Sequence, residues 1–205
     1  MTNLSTTQCS QKHLEKVLST IFSSTARTTV LTAMLTDPTR AYYQRQIEAA
    51  TGLPLRAVQR ELMRLTKAQL LYRRAEGNRA YFQADTGSAF YGELRTMVLK
   101  AALPVVQLRG ALAVDPAVRL AFLDGRETRV LVVGHGARRP TAPAAAEFSY
   151  ELVSSDGFTQ RLQEDAAALA PFLRDGCDLL GRRDDIIWRR IEDAGYAVPK
   201  GKGVP

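Results

Sequence analysis

Residues 44–84 read QRQIEAATGLPLRAVQRELMRLTKAQLLYRRAEGNRAYFQA, and this stretch decides the fold that we expect for the first half of the chain. Residues 44–50 form a short amphipathic segment that ends at Thr51-Gly52, since glycine can adopt the left-handed backbone conformation that closes a helix. A longer helix over residues 54–68 follows, with a proline in its first turn, where a missing N–H costs nothing. The stretch therefore predicts two helices joined by a tight turn.

A hairpin is predicted directly after the longer helix. Residues 70–74 and 79–84 alternate as strands do, and Glu76-Gly77-Asn78 between them is a hairpin turn signal. Helices are expected on either side, over residues 11–22, about 25–36 and about 88–103. The resulting order over residues 11–103 is helix, helix, short helix, turn, longer helix, hairpin, helix, which is the order of a winged helix-turn-helix domain.

The longer helix has one apolar side and one polar side. Val58, Leu62 and Leu65 form its inward stripe, so the opposite side is left for solvent or another molecule. Arginine can pair with a guanine edge and glutamine with an adenine edge, each good pair contributing about 1–3 kcal/mol of discrimination. The candidate DNA-binding residues are Tyr43, Arg45, Leu55, Arg56, Gln59, Arg60, Arg64, Arg73, Arg74, Asn78 and Arg79.

Alternatives remain open for several of these side chains. An arginine-rich helix side can be a solvated surface, and one residue of the pair Tyr42-Tyr43 can pack in the core instead of contacting a phosphate. Arg27 and Arg40 are further candidates for contacts with a nucleic-acid backbone. The arginines therefore point to DNA only in combination with the helix-turn-helix pattern and the hairpin.

The positive charge of the chain lies in its first half. The net charge is +7. Residues 1–103 hold 14 Lys and Arg against 7 Asp and Glu, and residues 104–205 hold 14 of each. Such a concentration favours a polyanionic partner such as nucleic acid, although an acidic membrane surface or an acidic protein would also fit.

Other classes of chemistry have little support. Two cysteines and two histidines cannot supply a transition-metal site of four conventional soft ligands without a carboxylate or a second chain, so we expect no metal site, no cofactor and no catalytic residues. No apolar run approaches the roughly 20 residues of a membrane span. The absence of a secretory segment and of paired cysteines leads us to expect a reducing cytoplasm.

The second half predicts a smaller α/β domain over residues 104–196, starting at Pro104. Strands are expected over residues 118–124, 128–134, 147–154 and 178–180, and helices over residues 157–163, 165–174 and 184–194, the last capped by Asp184-Asp185. Residues 1–10 and 197–205 are predicted to be disordered tails. The whole chain is thus expected to belong to the α+β class.

The run IFSSTARTTVLTAMLTDPTRAYYQRQIEAATGLPLRAVQRELMRLTKAQLLYRRAEGNRAYFQAD, residues 21–85, resembles the winged-helix domains of bacterial arsenic-repressor-like regulators. It is most similar to the subgroup in which a nucleotidyltransferase-like domain comes next in the chain. The resemblance covers about residues 14–103. It implies a dimeric repressor that reads DNA through Arg56, Gln59, Arg60 and the wing.

Residues 118–134, VRLAFLDGRETRVLVVG, resemble the first two strands of a minimal nucleotidyltransferase, and FSYELVSSDGFTQRLQED and FLRDGCDLLGRRDD resemble its later strand and trailing helix. That family carries a Gly-Ser pair after the first strand and an Asp-x-Asp on the second, which binds two divalent ions. Here those places read Asp124-Gly125 and Glu127-Thr128-Arg129. Because a guanidinium repels a metal ion, we expect a degenerate, noncatalytic domain that serves dimerisation or ligand sensing.

The sequence therefore predicts a cytoplasmic transcriptional regulator, acting as a repressor, that binds a pseudo-palindromic operator in double-stranded DNA as a homodimer. The dimer seam is expected on the helix over residues 88–103, together with residues 11–22, and an unknown small-molecule effector is a possible further partner. Two alternatives belong to other classes. One is an active nucleotidyltransferase targeted by a winged helix, and the other is a winged helix that binds proteins.

Overall fold

The computed structural model describes residue 14 and residues 16–205. Helices and two small sheets are mixed along this part of the chain, so the predicted α+β class is confirmed. The predicted N-terminal tail, residues 1–10, lies outside the described residues, as do residues 11–13 and 15 of the predicted first helix. The chain divides into two units, one up to Gly110 and the other Ala111–Val204.

The first unit contains helices and three strands. The helices and the hairpin come in the order predicted from sequence, with one additional short strand before the third helix. The elements are α1 over residues 16–21, α2 Thr25–Thr36, β1 Tyr42–Tyr43, α3 Gln44–Thr51, α4 Leu55–Lys67, β2 Leu71–Glu76, β3 Arg79–Ala84, α5 Tyr91–Ala101 and α6 Pro104–Ala113.

Local signals set the ends of these helices. The Ser24 hydroxyl accepts the N–H of Arg27 and caps α2. Gly52 ends α3 with a φ of 67°, a left-handed conformation that a side chain would strain. Pro104 begins α6, because proline is tolerated at a helix start. The division between the two units falls inside α6, between Gly110 and Ala111, whereas the predicted domain boundary lies at Pro104, where this helix begins.

A three-stranded sheet replaces the simple hairpin of the prediction. β2 and β3 pair in antiparallel fashion through the Gly77-Asn78 turn, and β1 adds to the outer edge of β3 in the order β1-β3-β2. Tyr42 lies opposite Phe82, and Tyr43 lies opposite Tyr81. The sheet therefore ties the start of α3 to the hairpin.

The core of the first unit holds α4 by its apolar stripe. Val58, Leu62 and Leu65 are buried, as predicted, and belong to one cluster with residues of α2, including Leu31 and Met34. Burying each such side chain contributes about 1.5–3 kcal/mol, so α4 is firmly anchored on this side. The opposite side of α4 remains exposed.

The second unit packs helices against a mixed sheet. Its elements are β4 Val118–Leu123, β5 Arg129–Gly134, a 3-10 turn Pro143–Glu147, β6 Ser149–Val153, α7 Ser155–Glu164, α8 Ala166–Leu173, β7 Cys177–Asp178 and α9 Ile186–Asp193. The strand order is β6-β5-β4-β7, in which only the β5–β6 pair is parallel. The Asp185 carboxylate caps α9 by accepting the N–H of Ile187, as predicted, and also forms a two-pronged pair with Arg119.

The predicted disorder of residues 197–205 is wrong. Val198 and Val204 are buried, and the Gly201 N–H donates to the carbonyl of Asp178 at 2.8 Å. Lys200 forms a parallel bridge with Asp178 at β7. Two valines among glycines, lysines and prolines make no periodic pattern, so sequence alone did not indicate that this segment packs.

Candidate nucleic-acid interface

The exposed side of α4 carries three arginines, Arg56, Arg60 and Arg64, and we call it the arginine face. These residues recur at intervals of four, so they follow one side of the helix, opposite the buried stripe. Leu55 and Gln59 border this face and are half-buried. The structure thus brings the five candidate residues of α4 together on or beside one outward surface.

Beneath the arginine face lies a fully buried carboxylate, Glu61, whose side chain is 0 % exposed. Its Oε2 atom accepts the Nε–H of Arg27 at 3.1 Å, and its Oε1 atom accepts from Arg64 Nη1 at 3.1 Å and Arg60 Nε at 3.4 Å. Arg27 also donates to the carbonyl of Phe22. Three guanidinium groups therefore surround one buried acid, an arrangement that no local sequence pattern indicates.

Gln59 is engaged with the preceding helix. Its Nε2 atom donates to the Oε1 atom of Gln44 at 3.0 Å, which joins α4 to α3 across the turn at Gly52. Gln44 is the first residue of α3. A base edge would therefore have to replace Gln44 as the partner of Gln59.

The hairpin presents a second set of candidate DNA-binding residues. Arg73, Arg74, Asn78 and Arg79 are all exposed. The Arg79 guanidinium lies 5.1 Å from the ring centre of Tyr43, and the Tyr43 ring meets the Tyr81 ring edge-on. Arg74 forms an exposed ion pair with Glu76 at 3.2 Å, which contributes little to stability.

The structure separates the roles of the two neighbouring tyrosines. Tyr42 is buried and its hydroxyl donates to Asp37 at 3.2 Å, and burial raises the pKa of this phenol. Tyr43 stays half-buried at the surface beside Arg79, with the exposed Arg45 two residues further on. Tyr42 is therefore the core residue of the pair, and Tyr43 the one available to a ligand.

One exposed residue on α4 was not anticipated. Met63 is 72 % exposed and lies one helical turn beyond Arg60, next to Arg64. A single methionine in a sequence is usually taken as a core residue, so nothing in the sequence indicated that this side chain is exposed. It adds an adaptable apolar side chain to the arginine face.

Apolar side chains are also exposed on α1 and around α5. They are Val17, Ile21, Phe90, Met97 and Leu103. Ile21 and Phe90 are more than half exposed, at 57 % and 68 %. A contiguous patch of such side chains is typical of a protein contact, whereas single exposed ones are ordinary.

In the second unit, a cavity of about 540 Å³ adjoins the β4–β5 turn. Its lining consists of Asp124, Gly125, Arg126, Thr128, Arg129, Pro171 and Asp175. Asp124 Oδ1 accepts the N–H groups of Thr128 at 2.8 Å and Arg129 at 3.0 Å, so this carboxylate closes the turn. A Cβ on Gly125 would lie 2.5 Å from the carbonyl oxygen of Asp175. Close backbone packing accounts for this glycine.

Arg129, the first residue of β5, is held by two partners. Its guanidinium pairs with Glu151 at 3.3 Å and lies 5.0 Å from the ring centre of Phe172. In the described part of the chain, no group of three His, Cys, Asp or Glu residues is placed to hold a metal ion. Nor does residue 14 or the segment 16–205 contain a helix long and apolar enough to cross a membrane.

Comparison with known proteins yields no family model, no curated protein and no solved structure that matches this chain. Its function is therefore inferred from the residues and their geometry.

Proposed function

We propose that this chain is a winged helix-turn-helix transcriptional regulator that binds double-stranded DNA by sequence, with α4 as its recognition helix. The observation that carries the proposal is the two-sided construction of α4. Val58, Leu62 and Leu65 anchor one side in the core, and the arginine face is exposed on the other. A rigidly held helix with outward guanidinium groups suits the major groove.

The dimensions of α4 agree with this role. Thirteen residues make a rod about 20 Å long, and an α-helix fits the roughly 12 Å wide major groove of DNA. Arg56 and Arg60, in its first half, are the proposed base-reading arginines. Arg73, Asn78 and Arg79 in the hairpin are proposed to contact the backbone or the minor groove.

We further propose a homodimer on a pseudo-palindromic operator, acting as a repressor in the cytoplasm. The exposed apolar side chains of α1 and around α5 support a dimer seam at the helices for which it was predicted. Two copies related by a two-fold axis would set their α4 helices in successive major grooves, about 34–36 Å apart. The resemblance of the sequence to arsenic-repressor-like regulators supports the same arrangement.

Selection of bound fragments from the source genome tests this proposal. We expect enriched fragments to share an inverted repeat whose half-sites lie about 10 base pairs apart, bound with a Kd of roughly 10⁻⁸ M or tighter at physiological salt. Fragments without a common sequence, bound only at about 10⁻⁶ M or weaker, would instead favour a winged helix that binds proteins. The measurement names both the site and the genes beside it.

The second unit is, in our proposal, a degenerate nucleotidyltransferase-like domain without catalytic activity. The antiparallel β4–β5 pair followed by the parallel strand β6 supports the likeness. Arg129 supports the loss of activity, because its guanidinium stands where a metal-binding carboxylate is needed and is engaged with Glu151. The unit would serve dimerisation or the sensing of a small molecule, for which the cavity beside Asp124 is the candidate site.

Incubation with labelled ATP and magnesium tests the loss of activity. We expect no transfer of label to the protein, to DNA or to added nucleotides, because the Asp-x-Asp pair that would bind the ions is replaced by Glu127-Thr128-Arg129. Transfer that a Glu127→Gln variant abolishes would contradict the proposal and identify an enzyme.

A further inference from the structure

We infer that Glu61 is a positioning residue for the arginine face: its buried carboxylate holds Arg60 and Arg64 in place before DNA arrives and limits nonspecific attraction to phosphates. The inference rests on the proposed function of α4. It is carried by the three hydrogen bonds that join Glu61 to Arg27, Arg60 and Arg64.

The buried carboxylate of Glu61 is compensated by groups of the protein itself. An isolated buried charge is strongly unfavourable, so it persists only when cations and hydrogen bonds compensate it. Arg27 supplies the inner partner. Its side chain is only 28 % exposed, and it is fixed from two directions by Glu61 Oε2 and the carbonyl of Phe22.

The other carboxylate oxygen of Glu61 binds the arginine face. Glu61 Oε1 faces Arg60 and Arg64, whose side chains are 58 % and 55 % exposed. Each of them is tied at one end to a fixed acceptor while most of its guanidinium stays open to solvent. In contrast, Arg56 is exposed and forms no ion pair with any residue that the structure describes. The arginine face therefore contains one untethered and two tethered guanidinium groups.

Tethering affects recognition through conformational freedom. A long side chain that is already restricted loses less conformational freedom when it contacts DNA. Binding is therefore favoured for a base whose position matches the restricted orientation. Without this restriction, Arg60 and Arg64 could each reach whichever phosphate is nearest and so contribute to nonspecific binding. Glu61 thus favours one orientation of each of the Arg60 and Arg64 side chains over the other orientations that a free arginine could adopt.

The negative charge of Glu61 has a second effect on the same surface. Nonspecific binding to DNA follows the number of phosphates that a protein neutralises, and this number sets the salt dependence of the affinity. Because Arg60 and Arg64 share a carboxylate, part of their charge is already neutralised. Removal of that carboxylate should therefore strengthen binding to any duplex and weaken the preference for one sequence.

The variant that tests these two effects is Glu61→Gln, which keeps the shape of the side chain and removes its charge. We expect the ratio of affinities for a selected fragment and a scrambled duplex to fall by about 2- to 12-fold. We also expect the salt slope on the scrambled duplex to become steeper by about one unit. A matched control is Glu147→Gln, an exposed residue of the second unit, which removes the same charge from the chain and should change neither quantity.

A measurement on the unaltered protein keeps the inference testable if the variant does not fold. In NMR spectra, the Nε–H groups of Arg27 and Arg60 should exchange with water more slowly than those of Arg56 and Arg73. Equal exchange at all four positions, or an unchanged affinity ratio in Glu61→Gln, would overturn the inference.

The outcomes separate this inference from the proposed function. If the unaltered protein prefers no DNA sequence although these Nε–H groups are protected, the proposed function fails and Glu61 only stabilises the fold. If the protein prefers a sequence but the Nε–H groups are not protected, the inference about Glu61 fails by itself. Equal weakening on both duplexes in Glu61→Gln would also count against positioning, because structural damage predicts that result.

Discussion

Replacement of Arg56 or Arg60 with alanine is expected to reduce strongly the discrimination between operator and scrambled DNA while the fold stays intact. Both side chains are exposed on the first half of α4, so their removal leaves no cavity. A bidentate contact to a guanine contributes about 1–3 kcal/mol, so each variant should lose about 5- to 150-fold in affinity for the operator. Mobility-shift titrations with both duplexes measure the effect, and circular dichroism verifies the fold.

Two other variants serve as controls for this result. Arg138→Ala removes an exposed arginine from the second unit and should leave both titrations unchanged. Arg73→Ala, in the hairpin, should weaken binding to both duplexes about equally and reduce the salt slope by about one unit, because a phosphate contact carries no sequence information. Unchanged discrimination in both Arg56→Ala and Arg60→Ala would refute the assignment of α4 as the reader.

The largest effect on stability is expected from Leu62→Ala. Leu62 is fully buried and packs in the core of the first unit between α4 and its neighbours α2 and α3. Truncation of a buried leucine removes apolar contacts and leaves a cavity, which costs about 2–5 kcal/mol of the free energy of unfolding. Urea unfolding followed by far-UV circular dichroism measures the loss, and hydrogen exchange at the amides of α4 localises it.

The neighbouring residue provides the matched control. Met63→Ala changes a 72 % exposed side chain on the same helix and should alter the free energy of unfolding by no more than about 0.5 kcal/mol. A loss of less than about 1 kcal/mol in Leu62→Ala would mean that α4 is not anchored by its apolar stripe. In that case α4 could not be a rigidly held helix, and the proposal that it reads DNA would lose its main support.

Features that depend on neighbours along the chain were predictable. The helix predicted over residues 54–68 is α4, Leu55–Lys67, and its buried stripe is the predicted one. Gly52 closes α3 with a positive φ, and the turn between β2 and β3 lies within the predicted Glu76-Gly77-Asn78 signal. Helix periodicity, capping and turn chemistry act over a few residues, so the signal for each lies in one short window of sequence.

Local patterns of apolar and charged residues are enough to predict the order of elements in the first unit and the outward side of α4, because periodicity separates these side chains within one helix. Contacts between distant parts of the chain establish which of the two tyrosines is buried, that residues 197–205 pack, and that Glu61 lies under the arginine face with Arg27 as its partner. Arg27 and Glu61 are 34 residues apart, and only the packing of α2 against α4 brings them together. A glutamate between arginines on an amphipathic helix is predicted to be exposed to solvent. Glu61 can be buried only because Arg27, from another helix, compensates its charge.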